Sequence, residues 1–388
     1  MSKSPLLGRR IHIAGSIASD LANAPSEDVA QARELVAQLV KELIKKGATF
    51  VVPVDTEKTR DADGHPICFD WLIWETIHKN LTKRPATASS PLVVAVQHHK
   101  SEEQIPSQFT ELWDSLRGSD LVKIENAAHW NMASKRMEAQ AQWGDILIAL
   151  GGSEGVLFLG NLYHDAGKPV IPLPLKLCPE GTGARRLFNF GLTSSNTERL
   201  FQTEGTTDPH SWINRINFPS RKMTGERVAD LIDLLEALAR PRAFVVRLLN
   251  PDFSEFQEVQ NFFDTVVEPI VEGELGYKMV IVDGKQRYKA ARIDEDIFTK
   301  LHKSSVVLAD ITASRANCFL EFGYALGRGL PTMLMAKEGT SHPFDITNFS
   351  ALHWKTTGSV EERRRAFREH WDAIQSRPHI VPTEPLIP

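Results

Sequence analysis

The sequence predicts an α/β protein made of two domains, each a mostly parallel sheet flanked by helices. Three observations carry that expectation. Apolar strand-like runs alternate with segments of helical periodicity along the chain. A stretch rich in Gly, Thr, Asn and Pro, residues 178–222, interrupts the alternation once, after which it resumes. Both halves also contain the same local order of helix, Gly-Pro corner and strand, in "VLFLGNLYHDAGKPVIPL" and "NCFLEFGYALGRGLPTML".

The elements follow in order. "IHIAG", residues 11–15, is the first strand. Ala32, Leu35, Val36, Leu39, Val40, Leu43 and Ile44 then form a helical stripe that Gly47 stops. "ATFVVPV", "GDILIALGG" and "KPVIPLP" are further strands. "WLIWETI" reads as core packing, and His98 and His99 as loop residues. Residues 178–222 read as irregular closing structure. An amphipathic helix, 225–241, ends at Pro241 and marks the boundary. In the second half, "RAFVVRLL", "YKMVIVD" and "SVVLADI" are strands, with helices at 256–271 and 293–304 between them. The helix of "ANCFLEFGYALGRGLP" and the strand "TMLM" follow, then a last helix, "VEERRRAFREHWDAIQ", whose arginines read as a solvated face. This divides the chain into 8–240, 241–375 and an extended tail, 376–388, with both domains Rossmann-like.

The composition narrows the function. A hydrophobic content of 42% and a charged content of 24% in 388 residues suit globular domains with ordinary cores. A formal net charge of -4 gives no reason to expect nucleic acid as a partner. Cys68, Cys178 and Cys318 lie far apart and match no zinc spacing, so no metal is expected, and a reduced, cytoplasmic setting is the simplest reading. No apolar run approaches the ~20 residues of a membrane span, and the N-terminus has too short an apolar stretch for a signal peptide.

One residue stands out. Glu321 lies off the packing face of an apolar helix made by Phe319, Phe322 and Leu326. When the two shared patterns are aligned on Pro169 and Pro331, Leu159 takes its place. The scaffold therefore does not need the acid, which favours a chemical role for it. In doubly wound sheets ligands bind beyond the carboxyl ends of the strands. Asp310 and Asp283 end strands there, Asn317 can cap the following helix, and Glu321 falls near its first turn. Such acceptors suit ribose hydroxyls and base edges. A carboxylate among them can stabilise or attack the oxocarbenium-like centre formed when an N-glycosidic bond breaks.

Two resemblances extend this reading. "ADITASRANCFLEFGYALGRGLP", with "SHPFDITNF" after it and "RLLNPDFSEFQEV" before it, resembles nucleoside 2-deoxyribosyltransferase-like and TIR-like proteins. The resemblance implies that Glu321 is catalytic, with Asp310, Asn317, Asp283 and Tyr324 on the substrate, and that the bond cleaved belongs to a nucleoside, a nucleotide or NAD. NAD would be a substrate, so no cofactor is expected.

In the first half, "GGSEGV" after "WGDILIAL" places a Gly-rich turn at a helix N-terminus, which suits a phosphate. Gly151, Gly152, Ser153, Glu154 and Gly155 form the turn, Gly15 and Ser16 offer backbone from the first strand, and Arg136 can neutralise an anion. The unit resembles the SLOG superfamily, in the branch fused to Sir2 or TIR domains in anti-phage systems. Catalytic relatives carry "PGGxGTxxE". Here Leu150 replaces the proline, and Phe158 and Leu159 occupy the acid region, which implies a domain that binds a nucleotide-derived second messenger. The expected whole is a signal-gated effector that becomes a homo-oligomer on activation and cleaves NAD. A nucleoside or nucleotide transferase and a non-enzymatic nucleotide sensor are the alternatives.

Overall fold

The computed structural model describes residues 4–375, except 57, 62, 89–90, 99–100, 129–132, 194, 220, 283–292 and 342–348. Asp283, the "PFD" residues and the tail 376–388 lie outside the described residues. The chain separates into two compact units, with the division between Ala239 and Arg240.

Unit 1 runs β1 Arg10–Ser16, α1 Ser26–Lys45, β2 Thr49–Pro53, α2 Asp70–Asn80, β3 Val93–His98, α3 Ser107–Arg117, β4 Val122–Ala128 and α4 Ala133–Trp143. It continues with β5 Ile146–Gly151, α5 Glu154–Asp165, β6 Val170–Leu173, α6 Gly183–Leu192, α7 Thr197–Leu200, α8 Pro209–Arg215 and α9 Thr224–Ala237. The sheet order is β4-β3-β2-β1-β5-β6, with every pairing parallel. The order reverses between β1 and β5, so their carboxyl ends open the crevice in which such sheets bind ligands.

The helical stripe of α1 is buried as its period predicts, and Gly47 at φ 78° turns the chain out of it. Trp71 and Trp74 are fully buried: one stacks on Phe109 at 4.5 Å and the other meets Trp113 edge-on at 5.4 Å. Their indole N–H groups donate to the carbonyls of Asp55 and Pro53, so the pair also pins the end of β2. Two expectations need correction. His98 closes β3, while His99 lies outside the described residues. The stretch 178–222 is not irregular, because α6, α7 and α8 form within it. Asp208 caps α8 with Pro209 in its first turn, and Phe188, Leu200, Trp212 and Ile213 supply a core that the polar composition hides.

Unit 2 runs β7 Arg242–Val246, α10 Phe256–Phe262, β8 Lys278–Ile281, α11 Ile293–His302, β9 Val306–Asp310, α12 Ala316–Gly327, β10 Thr332–Lys337, β11 Ala351–Trp354 and α13 Val360–Gln375. Its order is β11-β10-β9-β7-β8, again all parallel, with the reversal between β7 and β9. Along β9 the side chains alternate: Val306 and Leu308 join the core under α10 and α13, whereas Val307 and Ala309 join the core under α11 and α12. The strand β11 has no counterpart among the sequence expectations.

After Phe262 the helix widens to π geometry over Phe263–Val267 and again over Pro269–Glu274. Pro269 has no N–H for the carbonyl four residues earlier, that of Thr265. Arg364 of α13 donates to that carbonyl instead, at 3.0 Å. Arg368 makes a two-pronged pair with Glu274. The arginines of α13 are therefore only partly a solvated face.

Candidate functional site

Each sheet has a reversal point, where ligands are expected beyond the carboxyl ends of the strands. In unit 1, Gly15 and Ser16 pair with Leu150 and Gly151 across β1 and β5, and the N–H of Gly152 donates to Ser16 O at 2.7 Å. A Cβ on Gly15 would lie 1.6 Å from Leu150 O, so only glycine permits this approach. Gly151 and Gly152 have φ of 55° and 72°, and α5 starts two residues later. Ser153 occupies the N-cap position without making a side-chain capping bond. Ser153 and Glu154 are exposed at the mouth of the turn. The structure thus brings Gly15, Ser16, Gly151, Gly152, Ser153, Glu154 and Gly155 to one corner.

Arg136 stands differently. It is 8% exposed and already pairs with Asp55 at 2.9 Å, beyond the carboxyl end of β2. Its neighbour Met137 reaches the start of α5, 3.1 Å from where a Cβ on Gly155 would lie. Gly183 was not anticipated. It opens α6 at φ 49°, and a Cβ there would meet both Gly151 O and Gly152 O at 2.2 Å. Its signal is the Gly-Thr-Gly run "GTG", which reads as a turn when taken alone.

In unit 2, Asp310 ends β9 and is fully buried. Its carboxylate accepts from Thr312 N at 3.0 Å and from Trp354 Nε1 at 2.7 Å. Burial pushes its pKa up to about 6, against these two donors and Arg315. The loop beyond it holds Ala313 and Ser314 at φ 68° and 48°, two successive non-glycine residues in the left-handed region. Such conformations persist where the surroundings enforce them. Here Ser314 is bonded to Ser341 O, and Ile311 N to Met335 O.

Arg315 occupies the N-cap position of α12, so Asn317 is the second helical residue, exposed, and is not the cap. Glu321 lies in the second turn, half-buried, with Cys318, Phe322 and Ala325 making the buried face. Burial raises the pKa of Glu321, and the positive charge of Arg315 opposes the rise. Tyr324 turns to α11: its hydroxyl lies 3.1 Å from His302 Nδ1, and its ring meets Phe298 at 4.9 Å. The sequence reading passed over Arg315, Arg247 and Trp354, because a long-range partner leaves no mark in local spacing.

The comparisons bear on unit 1 first. A family described as "ATP nucleosidase Cap17-like, N-terminal" matches residues 6–235, more than half of the chain. No curated protein matches. Among solved structures, the protein titled TM1055 is 17% identical over 47% of this chain and 81% of its own, with a TM-score of 0.28. A conserved protein from Enterococcus faecalis V583 is 16% identical over 34% and 99%, with a TM-score of 0.22.

Proposed function

The chain belongs to the Cap17-like family, and from that premise we propose that it is a nucleotide N-glycosidase whose acid is Glu321. The observation that carries this reading is a half-buried carboxylate at the reversal point of a parallel sheet, beside a guanidinium that favours its ionised form. The family's description names an ATP nucleosidase, which makes ATP the first substrate to test. NAD, implied by the resemblance of unit 2, is the second. In either case the bond between C1′ and the base nitrogen breaks and its electron pair leaves with the base. Adenine takes up a proton, whereas nicotinamide, a cation while bound, leaves neutral and the proton of the attacking water goes to solvent. Ionised Glu321 stabilises or captures the developing cation at C1′, and water then adds hydroxide there.

Unit 1 is the sensor in this reading. Its corner offers backbone N–H groups at a helix N-terminus to a nucleotide-derived second messenger. The residue matching Glu321 there is Leu159, 4% exposed, which supports binding without cleavage. Messenger binding, assembly into a homo-oligomer and cleavage by unit 2 would together make a signal-gated anti-phage effector in the cytoplasm.

The test uses the full-length protein with ATP and with NAD, in the presence and absence of cyclic nucleotides. Free adenine or nicotinamide is measured by chromatography. Glu321→Gln keeps the side-chain volume and removes the charge, and should lower turnover by roughly 10²-fold or more. Unchanged hydrolysis by a folded Glu321→Gln protein would place the chemistry in unit 1. Base exchange in place of hydrolysis would identify a transferase.

A further inference from the structure

We propose that Arg247 and Arg315 form the phosphate-binding side of the Glu321 pocket, so that the protein takes phosphorylated nucleotides and rejects free nucleosides. The inference rests on the reading of Glu321 given above.

Both residues sit at the reversal point. Arg247 is the first residue after β7, and Arg315 opens α12 after β9. The two loops are tied together, because Arg315 Nη2 donates to the carbonyl of Arg247 and lies 3.0 Å from Cys318 Sγ. Arg315 is close enough to Glu321, Asp310 and Cys318 to oppose the rise in the pKa of each.

Each guanidinium keeps one donor unpaired. The Nε–H groups of Arg247 and Arg315 are both buried, and neither has a hydrogen-bond partner. A buried donor left unmade costs roughly 1–3 kcal/mol, and more when it is charged. Partial burial also lowers the pKa of Arg247. The guanidinium carbon of Arg247 lies over the ring of Phe263, 5.0 Å from its centroid. Phe263 is the first residue of the π-helical segment.

The acids facing Arg247 are Asp264, Glu268 and Asp310. Asp310 has both oxygens taken, one by Thr312 and one by Trp354. Asp264 accepts from Gln260 at 2.7 Å. These acids contribute field without meeting the fork of donors. Phosphate oxygens match that fork, and a guanidinium binds them in a planar, two-pronged way that an ammonium cannot. On a substrate whose C1′ lies at Glu321, the 5′-phosphate is the anion within reach of the same crevice.

The test is calorimetric, so it does not depend on turnover. Adenosine, AMP and ATP are titrated into full-length Glu321→Gln and into the double variant Glu321→Gln/Arg247→Gln. The two proteins share unit 1, so any nucleotide bound there contributes equally to both. AMP and ATP should bind the single variant about 10- to 100-fold more tightly than adenosine, the range of a hydrogen bond to a charged group. That gap should collapse in the double variant, and Arg247→Lys should restore only part of it. A gap that survives Arg247→Gln, or adenosine binding as tightly as AMP, overturns the proposal. Wild-type kinetics separate the two claims. Adenosine cleaved as fast as AMP refutes the phosphate site and leaves Glu321 standing. A collapsing gap in a protein that cleaves nothing supports the phosphate site and refutes the chemistry at Glu321.

Discussion

The corners β5–α5 and β9–α12 are built alike and equipped differently. The alignment that matches Pro169 with Pro331 also matches Glu154 with Ala316 and Asp165 with Gly327, the first and last residues of the two helices. Each helix follows the strand beside the reversal of its sheet. In unit 1 the corner is tight: two left-handed glycines lead straight into α5, and Leu159 is buried in the core. In unit 2 a longer loop with two strained residues separates Asp310 from α12, and Glu321 stands half-buried at the position of Leu159. One corner offers main-chain donors, and the other offers a carboxylate and a guanidinium. On the proposed function, the same scaffold would hold a ligand in one copy and do chemistry in the other.

Exchanging the two residues tests that contrast and should have the largest effect. Glu321→Leu replaces a half-buried acid with the residue its counterpart already uses. The protein should fold with undiminished stability and lose turnover by roughly 10²-fold or more. Leu159→Glu puts a carboxylate where the site is 4% exposed. It should destabilise unit 1 by about 3 kcal/mol or more and create no activity. Thermal melting and base release, measured on both variants, check the pair. A stable Leu159→Glu protein would mean that the two corners are less alike than their register implies.

The register itself was legible from sequence, because Gly-Pro corners and apolar periodicity are local signals. The strands and the α1 stripe were legible for the same reason, but the packing face of α12 only in part. Cys318, Phe322 and Ala325 are its buried residues in place of Phe319, Phe322 and Leu326, and half-buried Glu321 borders them. The missed features depend on distant partners. Asn317 looks like a cap, yet Arg315 takes the N-cap position because the two left-handed residues before it redirect the chain. Arg136 looks like a free cation, but Asp55, far away in sequence, already neutralises it. Trp354 gave no hint that its indole holds Asp310, since the short strand β11 carries no strong period. The helices within 178–222 were hidden by polar composition, and only their packing reveals them.

The two units should also answer acid in opposite directions. In unit 1, His12 is fully buried, with Nδ1 3.1 Å from the Tyr163 hydroxyl and Nε2 without a partner. Burial lowers its pKa to about 3 from an ordinary 6.5. Between those values the unfolded chain binds the extra proton, so stability from this group rises with pH and is lost on acidification. Asp310 in unit 2 is the reverse case, raised to about 6 from 3.8. There the folded state holds the extra proton, so stability falls as pH rises from 3.8 to 6. Each slope is about 1.4 kcal/mol per pH unit. Calorimetric melting of the full chain from pH 4 to 6 should show the difference against variants. His12→Asn should remove a rising contribution, and Asp310→Asn a falling one. Equal shifts of the same sign would refute the contrast.

Tyr324→Phe should have the smallest effect, and it separates the substrate side of α12 from its packing side. The resemblance placed Tyr324 with the substrate residues, whereas the structure bonds its hydroxyl to His302 and sets its ring against Phe298. Removing the hydroxyl deletes one half-buried hydrogen bond, worth about 1 kcal/mol or less, and leaves the ring contact in place. If the tyrosine serves packing against α11, the melting temperature should drop slightly, with kcat and KM staying within about twofold of the parent. If it reads the substrate, KM should rise while stability holds. His302→Ala removes the same bond from the α11 side together with the 3.2 Å contact of its Nε2 with Arg328 at the C-cap of α12, so its loss of stability should be the larger. A small loss of stability in Tyr324→Phe and a larger one in His302→Ala, with no change in KM in either, would assign Tyr324 to the scaffold.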